Sequence, residues 1–174
     1  MVPRFHTVLR QLKSPENVGL IVRQHAAFAG GKLIFLGHDR PWQFRKSTQA
    51  FSRRLESLCE IVSFNTDEEF FRWAEASSVH VAAVEIDRRA HELPNFNFPE
   101  ETAIVVGNES DGLPADFLNR CGSILTIPQY GPVACLNVAA SAIIAMYEIR
   151  RSQKNAVAIT GARYDVPKTG LRHD

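Results

Sequence analysis

The chain has 174 residues, 45% of them hydrophobic and 22% charged, with 20 Lys plus Arg against 19 Asp plus Glu. That length defaults to one domain able to bury a core, and the balance excludes wholesale disorder. No run of about 18 apolar residues occurs, so no transmembrane helix is expected, and the opening Met1–His6 lacks the apolar stretch of a secretory signal. Cys59, Cys121 and Cys135 are odd in number and share no C-x-x-C spacing. They point away from a disulfide framework or a structural zinc and suit a reducing, cytoplasmic setting.

The net charge of +1 conceals a division along the chain. Residues 1–60 hold ten Lys and Arg against four Asp and Glu, a net +6. Residues 61–120 hold four against twelve, a net −8, and residues 121–174 hold six against three, a net +3. A basic first third beside an acidic middle is a layout for binding a polyanion, although ordinary solvated faces produce the same division.

Phe5–Leu9 reads as a first strand. After the turn-forming Ser14-Pro15-Glu16 a helix is expected from about Asn17 to Phe28, with Val18, Ile21, Val22 and Ala26 on one face. Gly30-Gly31 stops it, Leu33–Leu36 is a second strand, and a basic stretch leads to a third at Glu60–Phe64. Thr66-Asp67-Glu68-Glu69 has the capping-box spacing and opens a helix holding Phe70, Phe71, Trp73 and Ala74. Val79–Val84, Ala103–Val106 and Ser123–Ile127 complete six strands. A short helix at about 114–120 separates the last two, and a long apolar helix runs from about Asn137 to Arg151. Strands alternating with helices predict an α/β fold, a mostly parallel sheet flanked by helices. It forms a single domain over residues 1–151, followed by a polar extension over 152–174.

Ligands of such sheets sit beyond the carboxyl ends of strands, and three segments there are unusual. In Val106–Pro114, Gly107 and Gly112 are spaced like the outer glycines of a phosphate loop, but Leu113-Pro114 stands where Lys-Ser/Thr is required. Glu109 and Asp111 would repel phosphate and welcome a cation. As plain structure this is a tight turn with Pro114 at the first helical position. In Ile127–Asn137, two prolines and a glycine stiffen a loop ending at Asn137, a good N-cap. Cys135 beside it could serve as a nucleophile, yet a lone cysteine without a His partner reads more readily as a packed small residue. In Asn17–Arg23 the two ends lie about 240° apart around a helix. Asn17 therefore reads as a cap or turn residue and Arg23 as a side chain projecting further along.

Taken together, Asn17-x-Gly19-x-x-x-Arg23, Ile104-Val105-Val106-Gly107-Asn108-Glu109-x-x-Gly112-Leu113, and Ile127-Pro128 followed by Leu136-Asn137-Val138-Ala139 resemble the three ordered motifs of the SpoU (TrmH) branch of the SPOUT methyltransferases. The resemblance covers roughly residues 5–151. It implies methyl transfer from S-adenosylmethionine to a ribose 2′-hydroxyl of RNA, a C-terminal trefoil knot that holds the cofactor, and a homodimer. It also implies that the cofactor lies against Val84, Gly107, Ile127, Cys135 and Leu136. Arg23 would meet the target ribose, as phosphate anchor and hydroxyl orienter, supported by Asn17, Glu109 and Asn137. Apolar Val84, Ile127 and Leu136 would supply dry walls, and glycine at 107 would let the backbone approach an adenosine. Cys135 stands where many members have Ser, and Gln129 where an apolar residue is common.

RNA contact is expected on Arg40, Arg45, Lys46, Arg53 and Arg54, where Trp42 and Phe44 interleave with the cations, unless those rings simply pack the loop on the core. With no long N-terminal extension the chain resembles the minimal members, and tRNA is favoured over rRNA as substrate. A cofactor-free RNA-binding module on the same scaffold is the alternative. No metal site and no membrane contact are expected.

Overall fold

The computed structural model describes residues 4–38 and 42–152. Arg40 and the extension beyond Ser152 lie outside them. Seven strands are all paired in parallel: β1 (Arg4–Arg10), β2 (Lys32–Leu36), β3 (Glu60–Phe64), β4 (His80–Val84), β5 (His91–Glu92), β6 (Glu101–Val106) and β7 (Ser123–Thr126). Their order is β3-β2-β1-β6-β4-β7-β5. Helices α1 (Pro15–Ala27), α2 (Lys46–Ser52), α3 (Asp67–Ala76), α4 (Ala115–Leu118) and α5 (Val138–Ser152) connect and cover them.

Buried parallel strands place alternate residues in opposite cores. Phe5, Leu9, Leu33, Phe35, Ala82, Val84, Ile104 and Val106 join α1 and α5 on one face. Val8, Ile34, Leu36, Val81, Ala83, Ala103 and Val105 join α3 and α4 on the other. The capping box of α3 forms as expected, with Thr66 Oγ1 accepting from the Glu69 amide and Glu69 accepting from Thr66.

Several sequence expectations need correction. The two-residue edge strand β5 raises the strand count to seven, because so short a segment carries no readable alternation. The basic stretch contains α2, whose seven residues have no side-chain cap. It is held instead by packing on α1, where the site of Gly19 leaves room for it: a Cβ there would stand 2.6 Å from Thr48 O and 2.7 Å from Phe51 Cβ. Toward the end of α1 the buried residue is His25 rather than Ala26. Its Nε2 donates to Gly31 O (3.1 Å), leaving Nδ1 to accept from the Thr7 hydroxyl (2.9 Å). Pro114 is the N-cap of α4, one position before its first helical residue.

Candidate functional site

Strands β1, β6, β4 and β7 are consecutive in the sheet, so the segments leaving their carboxyl ends meet along one edge. The segment after β1 enters α1 through Ser14, whose hydroxyl accepts from the Asn17 amide (3.3 Å), with Pro15 at the first helical position. Asn17 is therefore inside the first helical turn and buried, not the cap or turn residue expected from sequence. Its Nδ2 donates to Glu109 Oε1 (3.0 Å) and its Oδ1 accepts from Asn137 Nδ2 (3.1 Å). Asn137 caps α5 as expected, its Oδ1 accepting from the amides of Ala139 (2.9 Å) and Ala140 (3.1 Å). One relay of side-chain hydrogen bonds thus joins the three sequence motifs, across 92 residues at one step and 120 at the next.

Glu109 also accepts the backbone amides of Ser14 (3.0 Å) and Lys13 (3.2 Å). Burial alone would raise its carboxyl, but the donors from Asn17, Ser14, its own amide and Lys13 outweigh that and hold it below the usual carboxylate range. An ionised carboxylate with this many donors is a fixed acceptor rather than a proton shuttle.

The segment after β6 closes on itself. Asn108 Oδ1 accepts from the amides of Ser110 (2.9 Å) and Asp111 (2.8 Å), and Asn108 bridges to Gly112. The fold-back explains Gly107 more directly than ligand approach does: a Cβ there would lie 2.2 Å from the carbonyl carbon of Gly112. Gly112 itself has φ +64°, the left-handed region.

Between this loop, the ends of β4 and β7 and the start of α5 lies a cleft of about 510 Å3, a volume suited to a nucleoside-sized ligand. Val84, Gly107, Ile127, Cys135 and Leu136 all line it, with Glu109 and Asn137 at one side. Among the described residues no Lys, Arg or His lines it, while Glu85, Glu109 and Asp111 do. The donor set favours a cationic ligand over a phosphate. Sequence reading missed Glu85, Asn108 and Ser141 as lining residues; Glu85 was signalled by a carboxylate at the end of an apolar strand. Cys135 is exposed on the cleft wall, so the packed role expected for it does not hold. Burial raises the other two thiols, Cys121 to about 12.

Arg23 is half-buried on α1 and outside the cleft lining. Among the described residues it makes no hydrogen bond or ion pair. Arg45, Lys46, Arg53 and Arg54 are all exposed at the two ends of α2. Trp42 stacks on Phe35 at 5.7 Å between ring centroids and Phe44 meets it edge-on at 5.9 Å. Both rings, each half-buried, therefore pack the loop on the core.

A sequence profile of the SpoU rRNA Methylase family matches residues 4–147. The 23S rRNA (uridine(2479)-2′-O)-methyltransferase of Streptomyces viridochromogenes is 29% identical over 144 residues, covering 80% of this chain and 50% of that protein. The AdoMet-bound rRNA methyltransferase of Sinorhizobium meliloti superposes with a TM-score of 0.79 at 25% identity, over 87% of this chain and 57% of the other. A chain solved in work on the 2-OH methylation of C/U34 on tRNA superposes with a TM-score of 0.73 at 28% identity, over 86% and 96%. The chain spans about half the length of most of the curated relatives it matches.

Proposed function

The chain belongs to the SpoU rRNA Methylase family, and from that membership we propose that it transfers a methyl group from S-adenosylmethionine to a ribose 2′-hydroxyl of RNA. The observation that carries the reading is the Asn17–Glu109–Asn137 relay at the side of a nucleoside-sized cleft. When bound, S-adenosylmethionine supplies an electrophilic methyl on a sulfonium. Val84, Gly107, Ile127, Cys135 and Leu136 would hold it, and a cleft lined by carboxylates, with no basic side chain among the described residues, fits its positive charge. Asn17, Glu109 and Asn137 fix one another, so the side of the cleft is rigid before RNA arrives. Pre-positioning of this kind supplies much of the acceleration of an in-line transfer.

Arg23 is assigned to the target nucleotide, its fork gripping the phosphate and orienting the hydroxyl. Its lack of any partner within the described chain supports that role. A homodimer is supported by the apolar stripe Leu136, Ile144 and Tyr147, which are 37%, 39% and 55% exposed and run from the cleft along α5. A second copy seated there would stand at the cleft mouth, where an arginine from outside the lining could complete the site. The reading further includes the family's trefoil knot, a cytoplasmic location, and RNA phosphates meeting Arg45, Lys46, Arg53 and Arg54.

For the RNA class we propose tRNA, supported by the likeness to the chain studied for tRNA 2-OH methylation, which this chain covers almost end to end. The test is transfer of labelled methyl from S-adenosylmethionine into separated tRNA and rRNA pools. Label is expected in tRNA and is lost in Arg23→Ala. Label confined to rRNA reverses the substrate, and cofactor binding absent altogether leaves only an RNA-binding module.

A further inference from the structure

The loop 107–113 is gripped from two sides by carboxylates, and only the Glu109 side belongs to the three sequence motifs. The other grip is Glu85, the first residue after β4. Its Oε2 accepts the Leu113 amide at 2.9 Å and its Oε1 accepts the Ile86 amide at 2.9 Å. Gly112 is seated against it: a Cβ at that position would lie 2.5 Å from Glu85 Oε2, and its φ of +64° already excludes most side chains. Glu85, Ile86 and Gly112 all line the cleft.

We propose that Glu85 is a positioning residue for the cofactor, locking the 107–113 loop against the end of β4 so that the cleft keeps its shape. The inference rests on the cleft being the S-adenosylmethionine site. The chemistry requires a carboxylate. Both facing groups are N–H donors, and only a carboxylate presents an acceptor to each; an amide of the same shape turns a donor toward one of them. Aspartate is one methylene short of the span. With both oxygens engaged, Glu85 ties the loop to the end of β4.

Glu85→Gln tests this because shape and fold are retained, and Glu85→Ala removes both acceptors. One amide left without a partner costs enough to loosen the loop, and about tenfold in affinity is expected if the cofactor must re-order it. Calorimetry with S-adenosylmethionine should show a Kd about tenfold weaker for Glu85→Gln and weaker still for Glu85→Ala, with thermal midpoints close to that of the parent protein. Hydrogen exchange without cofactor should speed up at Leu113 or Ile86 and leave the sheet amides unchanged. A Glu85→Gln protein that binds as tightly as the parent, or exchanges no faster at those amides, overturns the proposal. Faster exchange in a chain whose parent form binds no S-adenosylmethionine upholds the loop contact but overturns the cofactor role, together with the cofactor reading.

Discussion

Gly19→Ala sets two physical effects against each other. Alanine is better than glycine in a helix interior by about 1 kcal/mol, so propensity alone predicts a stabilised protein. The packing of α2 predicts the reverse. The new Cβ would meet Thr48 O at 2.6 Å, Phe51 Cβ at 2.7 Å and the Ser52 amide nitrogen at 3.0 Å. Two of these are backbone atoms of α2 and the third is attached to it, so no flexible side chain can swing aside. Overpacking of this kind costs about 3 kcal/mol at the upper end, which leaves a net loss of about 2 kcal/mol. For a chain of this size that lowers Tm by about 4–8 °C. Because α2 must retreat, Arg53 and Arg54 move with it, and affinity for RNA should fall in the same variant. Thermal melts by circular dichroism read the first effect and a binding titration the second. A Tm raised by a few degrees would mean that α1 and α2 are not in backbone contact, and the account of Gly19 would fail.

Desolvation lowers His25 from 6.5 to about 4. The unfolded chain then binds the extra proton as pH falls through 6.5, so stability should drop by about 2 kcal/mol between pH 7 and pH 5, measured by urea midpoints; a flat profile refutes the burial argument. Arg53 and Arg54 occupy consecutive left-handed conformations, φ +54° and +58°. Replacing both with Gly should therefore leave Tm unchanged or higher, while the salt dependence of RNA binding becomes shallower by about two. An unchanged salt slope removes these residues from the RNA surface. Glu109→Gln turns a donor toward one of the N–H groups now facing the carboxylate; because the Lys13 and Ser14 amides are exposed, it should cost only about 1 kcal/mol in melts, together with most methyl transfer. Transfer at the parent rate would separate the relay from catalysis.

The strand-and-helix alternation and the capping box of α3 were legible because each is a local pattern. Asn137 was legible as a cap for the same reason. The short helix α2 was not, since its seven residues owe their conformation to a neighbour 27 residues earlier, at Gly19. The place of Asn17 inside the helix, with its side chain turned to Glu109, followed from Ser14 and Pro15 taking the cap positions. The partners of Asn17 lie 92 and 120 residues away, a separation that spacing cannot reveal. Glu85 escaped notice because it belongs to none of the three motifs, and its role depends on the backbone of a loop 28 residues on. Trp42 and Phe44 show the converse error, where rings among cations suggested base stacking but Phe35 lay beneath them.

Transfer of the methyl group to a ribose oxygen is the reaction proposed for this cleft. RNA incubated with the protein and isotopically labelled S-adenosylmethionine, then digested to nucleosides and weighed by mass spectrometry, reports this directly. The account predicts a labelled 2′-O-methylnucleoside with the added mass on the sugar fragment, absent when Arg23 is replaced by Ala. Label on a base fragment, or no label in any RNA at saturating cofactor, would contradict it.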